Sequence, residues 1–550
     1  MSEDSKVSGS SESADFEVEQ LIKAVKTQGL VDDIVDGVYL GLLAICIIFI
    51  FMFAVFTPDL YELFPFFSYL ASLFSKIPNV VLNFGTFYPE IISYLKSLLL
   101  SFPKNLDEFK ALSVLYNSHI SEFLSAIDYK TVILVFSWGA YVWHAYLDIR
   151  QRDMLHQIYR PPQIKSLVSR KAFLEANTYG LDKSSLKMMQ SLFEQIKLTL
   201  AFYYDVLPLI WHYTGSFMHS KLGLGPEYEI THAILFFVFT TLINTISSIP
   251  FDLYGTFVVE AKHGFNNQTV SLFVTDLLKT ILLVSTLGPL VLSGLLWTIN
   301  KTGDNFYYYV MLFMMLVQFI GITIFPTLIQ PLFNKFQPLE QGDLKSAIEA
   351  LASRVDYPLK KLYVIDGSKR SSHSNAYMYG FFKNKRIVIF DTLLKQTNSQ
   401  EVCAILAHEL GHWKYNHVLK MLVAGQLQIF LIFYLFSLVI KQQKMYSDFN
   451  FTTMPVFIGF TLFQYLYIPL DSILTFFFNK LSRKNEFEAD AFSKKLGYKE
   501  DLKQGLIKIH VENKGNLNPD KLYSAYHYSH PSLVERLRAL DDPLVAPKSD

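Results

Sequence analysis

The sequence predicts an all-α, multi-pass membrane protein with a metal-binding region outside the bilayer. Apolar residues make up 51% of the 550-residue chain and charged residues only 18%, a composition typical of membrane-embedded proteins. Several apolar stretches approach the roughly 20 residues that a helix needs to cross a bilayer. An HExxH motif at residues 408–412 lies outside these stretches, and this spacing lets two histidines bind one metal ion.

Charge and cysteine content argue against two classes of protein, nucleic-acid-binding proteins and disulfide-stabilised proteins. The chain has 49 basic and 49 acidic residues without a dominant basic block, so we expect no nucleic-acid partner. Its two cysteines, Cys46 and Cys403, cannot form a disulfide framework. A metal-binding region in the reducing cytosol fits this cysteine content, and the lipid bilayer is the predicted surrounding.

The two ends of the chain are polar. Residues 1–36 are rich in Ser, Asp and Glu, which predicts an acidic, disordered tail rather than a signal peptide. Residues 37–127 form a predicted N-terminal extension with one extra transmembrane helix at 37–56, followed by a proline-interrupted part. Residues 542–550 are a predicted tail without a prenylation box or retrieval signal.

Apolar stretches define the predicted membrane spans. They fall at 37–56, 130–148, 191–214, 230–250, 270–299, 306–330, 418–440 and 455–480. Residues 128–332 therefore contain transmembrane helices with cytosolic loops, and 418–480 contain the last two spans.

Loop charge predicts which side of the membrane each loop faces. Residues 149–190 are more basic than the connectors at 215–229 and 441–454, so we place them in the cytosol. Counting spans from there puts 333–417 and 481–541 on the same side. These two regions form the predicted cytosol-facing catalytic domain, interrupted by the span pair.

The run from Ala404 to His417 is predicted to be one helix, because it lacks proline and begins with an apolar turn. Its spacing puts His408 and His412 on one helical face, where both can bind one zinc ion. Glu409 points off that face and can take a proton from a water molecule activated by the metal.

A hydrolytic zinc site needs a third protein ligand. We assign this role to Glu486, after the last span, with Asp490 one turn later as acceptor for a ligating histidine. Glu486 as an ordinary solvated charge is the alternative. Glu488 is interpreted as solvated, His417 as a surface histidine or a neighbour of the ligands, and Asn416 as another residue next to them.

At this point the chain resembles the CAAX prenyl protease 1 family, zinc endopeptidases of the endoplasmic reticulum. The resemblance covers about 128–541 and rests on the runs LYGTFVVEAKHGFNNQT at 253–269, GSKRSSHSNAY at 367–377 and HYSHPSLVERL at 527–537. It implies seven transmembrane helices around a large chamber, closed by a cytosolic domain with a small β-hairpin or sheet. Here the helix at 37–56 would be additional.

The resemblance also implies further site residues. Asn375, Ala376 and Tyr377 resemble an edge strand that pairs with extended substrate, for which a structural hairpin is the alternative. His530 resembles a histidine that stabilises the oxyanion, and Arg536 a basic residue that pairs with a substrate carboxylate. A helix N-terminal box with a packed histidine is the alternative for this run.

The implied function is zinc-dependent removal of the C-terminal tripeptide from prenylated, for example farnesylated, proteins, with a second cut further upstream. The implied location is the endoplasmic-reticulum membrane, with the inner nuclear membrane left open as a second location. Two rival hypotheses remain at this stage. One is a broad quality-control zinc protease for membrane proteins, and the other is a transporter or scaffold with a vestigial zinc domain.

Overall fold

The computed structural model describes residues 124, 126–380 and 385–542. The predicted tail at 1–36, the predicted span at 37–56 and nearly all of the C-terminal tail lie outside the described residues. The chain divides into two compact units. The described part of the smaller unit is 124, 126–132 and Gln442–Asp448. The sheet and the candidate metal centre lie in the larger unit, Ile133–Lys441 together with the residues from Phe449.

Helices dominate the described part of the chain. In chain order they are α1 Tyr129–Leu155, α2 Arg170–Tyr203, α3 Val206–Leu222, α4 Glu229–Tyr254, α5 Val270–Thr302, α6 Phe306–Ile324, α7 Gln330–Phe333, α8 Asp343–Arg354, α9 Asp391–Gln396, α10 Ser399–Lys414, α11 His417–Val439, α12 Gln443–Ser447, α13 Val456–Lys495, α14 Lys499–Glu512, α15 Lys521–His527 and α16 Leu533–Asp541. Short π-helical turns continue α4 through Gly255–Glu260 and α6 through Phe325–Ile329.

Within the described part of the chain, five helical segments are long and apolar enough to cross a membrane. They are Tyr129–Leu155, Glu229–Glu260, Val270–Phe333, His417–Val439 and Val456–Lys495. The third segment contains both α5 and α6, separated by a turn at Gly303–Asn305. The predicted all-α, multi-pass membrane fold is thereby confirmed, while the arrangement of seven helices around a chamber stays a prediction.

The stretch at 191–214, predicted as one span, is divided in the structure. Helix α2 ends at Tyr203, and Asp205 adopts a left-handed conformation with φ 51° before α3 begins at Val206. The amide of Asn450 donates to the Asp205 carboxylate at 2.6 Å. Neither α2 nor α3 alone is among the segments long and apolar enough to cross a membrane: α3 has only 17 residues, and α2 is polar over much of its 34 residues.

Four strands form the small sheet: β1 Phe336–Pro338, β2 Leu359–Ile365, β3 Ala376–Tyr379 and β4 Lys385–Phe390. The strand order is β1-β2-β4-β3, with β2 and β4 parallel and the outer pairs antiparallel. In β4 the side chains of Ile387, Val388 and Ile389 are all buried. Consecutive burial of this kind is typical of a strand covered on both faces.

An apolar core forms where the sheet meets α8 and α10. Ile387 and Ile389 of β4 share one apolar cluster with Val402, Leu406 and Leu410 of α10. Helix α10 also packs against α13 and α14. This packing fixes the HExxH helix between the sheet and the last long helix of the chain.

Candidate metal centre

Helix α10 carries the HExxH motif and has a well-defined start. Asn398 caps it, and Asn398 and Glu401 form a reciprocal capping box with two hydrogen bonds of 2.9 Å. The buried Glu401 also accepts a hydrogen bond of 2.8 Å from the ammonium group of Lys508 on α14. The cap and the ion pair together fix the helix terminus.

Helices α10 and α13 approach each other closely at a glycine. A Cβ atom on Gly411 would lie 2.9 Å from the Ala489 Cα atom, which is closer than packed atoms tolerate. The hydroxyl of Ser493 donates to the Ala404 carbonyl at 3.0 Å across the same interface. This contact sets the distance between the histidines of α10 and the acidic residues of α13.

Three predicted ligands converge at this interface. The Nε2 atoms of His408 and His412 are 3.2 Å apart. Glu486 Oε2 lies 3.4 Å from His408 Nε2, and Glu486 Oε1 lies 3.3 Å from His412 Nε2. Residues 408, 412 and 486 form the only group of three or more such side chains, within the described ranges, whose geometry could hold a metal ion.

These separations are compatible with one zinc ion bound by both imidazoles and by one or both oxygens of Glu486. With metal–ligand bonds of about 2.0–2.1 Å, neighbouring ligand atoms in a tetrahedron are about 3.3–3.4 Å apart. Glu486 is buried, and among the described residues its Oε2 atom accepts no well-directed hydrogen bond, although His530 Nδ1 is 3.0 Å away. A bound cation would satisfy this buried carboxylate oxygen.

The local electrostatics also favour a cation. Burial and the Arg536 charge lower the pKa of His408, but Asp490 and Glu486 outweigh them and the pKa is raised to about 9. Burial raises the pKa of Glu409, although the neighbouring His408 and His412 act against it. Glu409 thus lies beside the proposed ligands with a carboxyl group whose proton affinity is increased.

Asp490 lies behind His408, as predicted. Its Oδ1 atom is 2.8 Å from His408 Nδ1. Arg536, predicted to contact substrate, is buried and donates to both oxygens of Asp490, from Nε at 2.8 Å and from Nη2 at 2.6 Å. Two of its nitrogens also lie near the proposed ligands: Nη2 is 3.2 Å from His408 Nδ1, and Nη1 is 3.7 Å from Glu486 Oε2. The position of Arg536 therefore supports an internal ion pair rather than a substrate contact.

The surroundings of His412 differ from the sequence interpretation. The predicted helix through residue 417 ends at Lys414, and α11 starts at His417. His417 is buried, with its Nδ1 atom 3.0 Å from His412 Nδ1 and its Nε2 atom 3.0 Å from Glu488 Oε2. Asn416 is exposed and forms the turn with φ 54°, so the neighbour of the ligand is His417 and not Asn416.

His530 lies at the mouth of the site. Its side chain is 65% exposed, and its Nδ1 atom is 3.0 Å from Glu486 Oε2. The alternative of a helix N-terminal box is also present, because Ser532 and Glu535 cap α16 reciprocally. His530 precedes this box and is not packed within it, so it remains accessible to a ligand in the site.

The predicted substrate strand lies at an edge of the sheet. Among the described residues, β3 pairs only with β4, and Ala376 contributes to the apolar cluster beneath α10. The Asn375 carbonyl accepts from the Phe390 amide at 3.0 Å, and the Tyr377 hydroxyl donates to Gln330 Oε1 at 2.7 Å. These contacts fix the strand while its other edge has no strand partner in the described ranges.

A tyrosine near Glu409 was not anticipated from the sequence. Tyr357 is buried, its ring packs edge-on against Trp413 at 5.0 Å, and its hydroxyl has no hydrogen-bond partner among the described residues. Burial raises the pKa of Tyr357, and the negative charge of Glu409 raises it further. No spacing rule connects position 357 with the HExxH helix, so sequence reasoning had no signal for it.

Family models match most of the described chain. Residues 149–335 match the model described as CAAX prenyl protease N-terminal, five membrane helices. Residues 338–544 match peptidase family M48. The boundary between the two models falls at β1, because the first match ends at residue 335 and the second begins at residue 338, the last residue of this strand.

Several curated proteins are similar over nearly their whole length. The CAAX prenyl protease 1 homolog of Arabidopsis thaliana is 44% identical, covering 76% of this chain and 98% of the relative. The human homolog is 40% identical, covering 74% and 94%. The CAAX prenyl protease 1 of Saccharomyces cerevisiae is 38% identical, covering 76% and 96%.

A solved structure is similar in fold as well as in sequence. The crystal structure of S. mikatae Ste24p superposes with a TM-score of 0.72 at 39% identity. The match covers 76% of this chain and 99% of that chain.

Proposed function

The chain belongs to the CAAX prenyl protease 1 family of membrane metallopeptidases, and on this premise we propose that it removes the C-terminal tripeptide of prenylated proteins. The proposed cofactor is one zinc ion held by His408, His412 and Glu486. The observation that carries the proposal is the spacing of 3.2–3.4 Å between their ligand atoms.

The proposed chemistry is peptide-bond hydrolysis. When bound, zinc would polarise the scissile carbonyl and lower the pKa of water to about 7, so that the water can lose a proton and attack as a nucleophile. Glu409 takes the proton of the attacking water and delivers it to the leaving amine. Burial raises the pKa of Glu409, which suits a group that must both accept and return a proton near neutral pH.

Two further groups would act on the substrate. His530, exposed at the mouth of the site, can donate a hydrogen bond to the oxygen that becomes negatively charged in the tetrahedral state. The free edge of β3, with Asn375, Ala376 and Tyr377, can hold an extended peptide through backbone hydrogen bonds. Such pairing is independent of side chains and is compatible with a second cut further upstream.

A cavity in the membrane region supports a lipidated substrate. Its volume is about 960 Å³, and it lies between α1, α2, α3, α4 and α13. Many of its lining side chains are apolar, among them Leu192, Leu198, Phe202, Ile243 and Ile468. Because each buried CH₂ group contributes about 0.8 kcal/mol, a farnesyl chain would bind favourably there.

The proposed location follows from the family and the loop charges. We place the protein in the endoplasmic-reticulum membrane, with the metal centre accessible from the cytosol. The basic segment 149–190, which comprises the end of α1, the connecting loop and the first part of α2, supports this orientation, because positively charged segments next to membrane spans favour the cytosolic side.

The test uses purified full-length protein and a farnesylated peptide that ends in a CAAX sequence. The wild type should contain one zinc ion per chain and release the tripeptide, whereas Glu409→Ala should retain zinc and release none. Replacement of the exposed Glu349 by Ala is the control and should change neither property. Undiminished cleavage by Glu409→Ala would contradict the mechanism, and equal cleavage of an unprenylated peptide would favour the quality-control hypothesis.

A further inference from the structure

The turn between α10 and α11 brings a third histidine to the metal centre. If α10 continued without a break, residues five positions apart would be rotated by roughly 140° around the helix. Instead Asn416 adopts φ 54° and α11 begins at His417. The turn directs His417 back, so that its Nδ1 atom lies 3.0 Å from His412 Nδ1.

The contacts of the two rings determine where their protons lie once a cation is bound. His412 directs Nε2 towards Glu486 and His408, so this nitrogen offers its lone pair and the ring proton is on Nδ1. That proton is donated to His417 Nδ1, which leaves the His417 proton on Nε2. Glu488 Oε2 is 3.0 Å from that nitrogen and accepts it.

The contacts from His412 to His417 and from His417 to Glu488 begin at a buried imidazole and end at a carboxylate near two cations. The His417 side chain is 3% exposed, whereas that of Glu488 is 35% exposed. The ammonium groups of Lys420 and Lys484 each lie 3.8 Å from a carboxylate oxygen of Glu488. The carboxylate is therefore held between two cations and the imidazole, with one oxygen directed inward.

We propose that His417 and Glu488 are positioning residues for the ligand His412. They fix the orientation of its ring and the proton on Nδ1, and they make Nε2 a better donor to the metal. This inference rests on the proposed metal centre. His417 would orient His412 through its Nδ1 atom, as Asp490 orients His408 through Nδ1. Support of this kind changes metal affinity by about 10- to 100-fold.

The substitutions His417→Asn and His417→Leu are similar in size but differ in their ability to accept a hydrogen bond. In His417→Asn the amide oxygen can occupy the position of Nδ1 and accept the His412 proton, whereas Leu in His417→Leu cannot. We expect zinc affinity, measured by competition with a chelator, to fall about 10- to 100-fold in His417→Leu. His417→Asn should stay within a few-fold of the wild type, and added zinc should restore cleavage to His417→Leu.

A variant of Glu488 tests the outermost of these contacts. Because Glu488 is partly exposed, its substitution should disturb folding less than that of the buried His417. Glu488→Leu should weaken zinc binding several-fold, whereas Lys480→Ala, at an exposed position of the same helix, should leave zinc binding unchanged. Equal zinc affinity in wild type and His417→Leu, or equal losses in the Asn and Leu variants, would overturn the inference. If the wild type itself binds no zinc, the proposed function fails instead, so the two failures are distinguishable.

Discussion

Arg536 and Asp490 form a buried two-point ion pair, with Nε to Oδ2 at 2.8 Å and Nη2 to Oδ1 at 2.6 Å. The same Oδ1 atom is 2.8 Å from His408 Nδ1. Because the guanidinium fixes both carboxylate oxygens, the orientation of the His408 ring is determined by an ion pair between α13 and α16.

The first prediction concerns this ion pair. Asp490→Ala leaves the Arg536 charge buried without its main partner, and the free energy of unfolding should fall by about 3–5 kcal/mol. Replacing both residues by Leu should recover much of that loss, because no buried charge remains unpaired, yet zinc affinity should stay low. Thermal unfolding of the metal-free protein and chelator competition check the two parts. A single variant that unfolds at the wild-type temperature would contradict the prediction.

The second prediction concerns the close approach of α10 and α13. Gly411→Ala places a methyl group 2.9 Å from the Ala489 Cα atom, and backbone cannot move aside as a flexible side chain can. We expect a loss of about 1–3 kcal/mol in unfolding free energy. Zinc affinity should also fall, since α13 would carry Glu486 away from the histidines.

Gly425→Ala is the matched control for this substitution. Gly425 lies within α11 and a Cβ atom there would meet no atom within 4 Å. Alanine is the better helix former, so neither stability nor zinc affinity should decrease. If Gly411→Ala behaves like Gly425→Ala in both measurements, the contact does not set the helix separation.

The third prediction is a pH dependence of stability. Burial lowers the pKa of His510 from its ordinary value of about 6.5 to about 4, while its Nδ1–H group donates to the Leu506 carbonyl at 2.9 Å. The unfolded chain therefore takes up a proton at a higher pH than the folded one. Stability should decrease as the pH falls from about 6.5 to about 4, by on the order of 2 kcal/mol after allowance for partial exposure.

The measurement compares unfolding temperatures across that pH range for wild type and His510→Gln. The variant should lose part of the decrease, since it has no group to protonate at that position. His156→Gln removes an exposed histidine and should leave the profile unchanged. Identical profiles for wild type and His510→Gln would show that another group dominates.

Helical periodicity was sufficient to anticipate which side chains would share a face. His408 and His412 are one turn apart, as are Glu486 and Asp490, and the structure brings these two faces together. Their roles as ligands and support remain the proposal made above. The distance between the faces depends on Gly411, which in the sequence is one of 25 glycines without a distinguishing pattern.

Periodicity failed where the backbone leaves the regular helix. Asn416 and Asp205 both adopt positive φ, which asparagine and aspartate tolerate better than most residues but do not require. The sequence therefore suggested one helix through residue 417 and one span at 191–214. The predicted continuous helix left His417 as either a surface histidine or a neighbour of the ligands, and the break at Asn416 places its Nδ1 atom 3.0 Å from His412 Nδ1.

Arg536 illustrates a different limit. Its residue type predicts pairing with a carboxylate, but nothing in a single sequence says whether that carboxylate belongs to the substrate or to the protein. Burial decides the question, and burial depends on how α16 packs near α13. That packing is a tertiary property that local patterns do not contain.

Helix α13 has a consequence for any attempt to isolate the catalytic part. Between His412 and Glu486 the chain traverses α11 and most of the 40-residue α13, a continuous rod of about 60 Å. No single cut releases a water-soluble fragment that keeps all three proposed ligands. Truncated variants of this protein must therefore retain α11 and α13. Any treatment that disrupts these two membrane helices is expected to affect both membrane anchoring and hydrolysis.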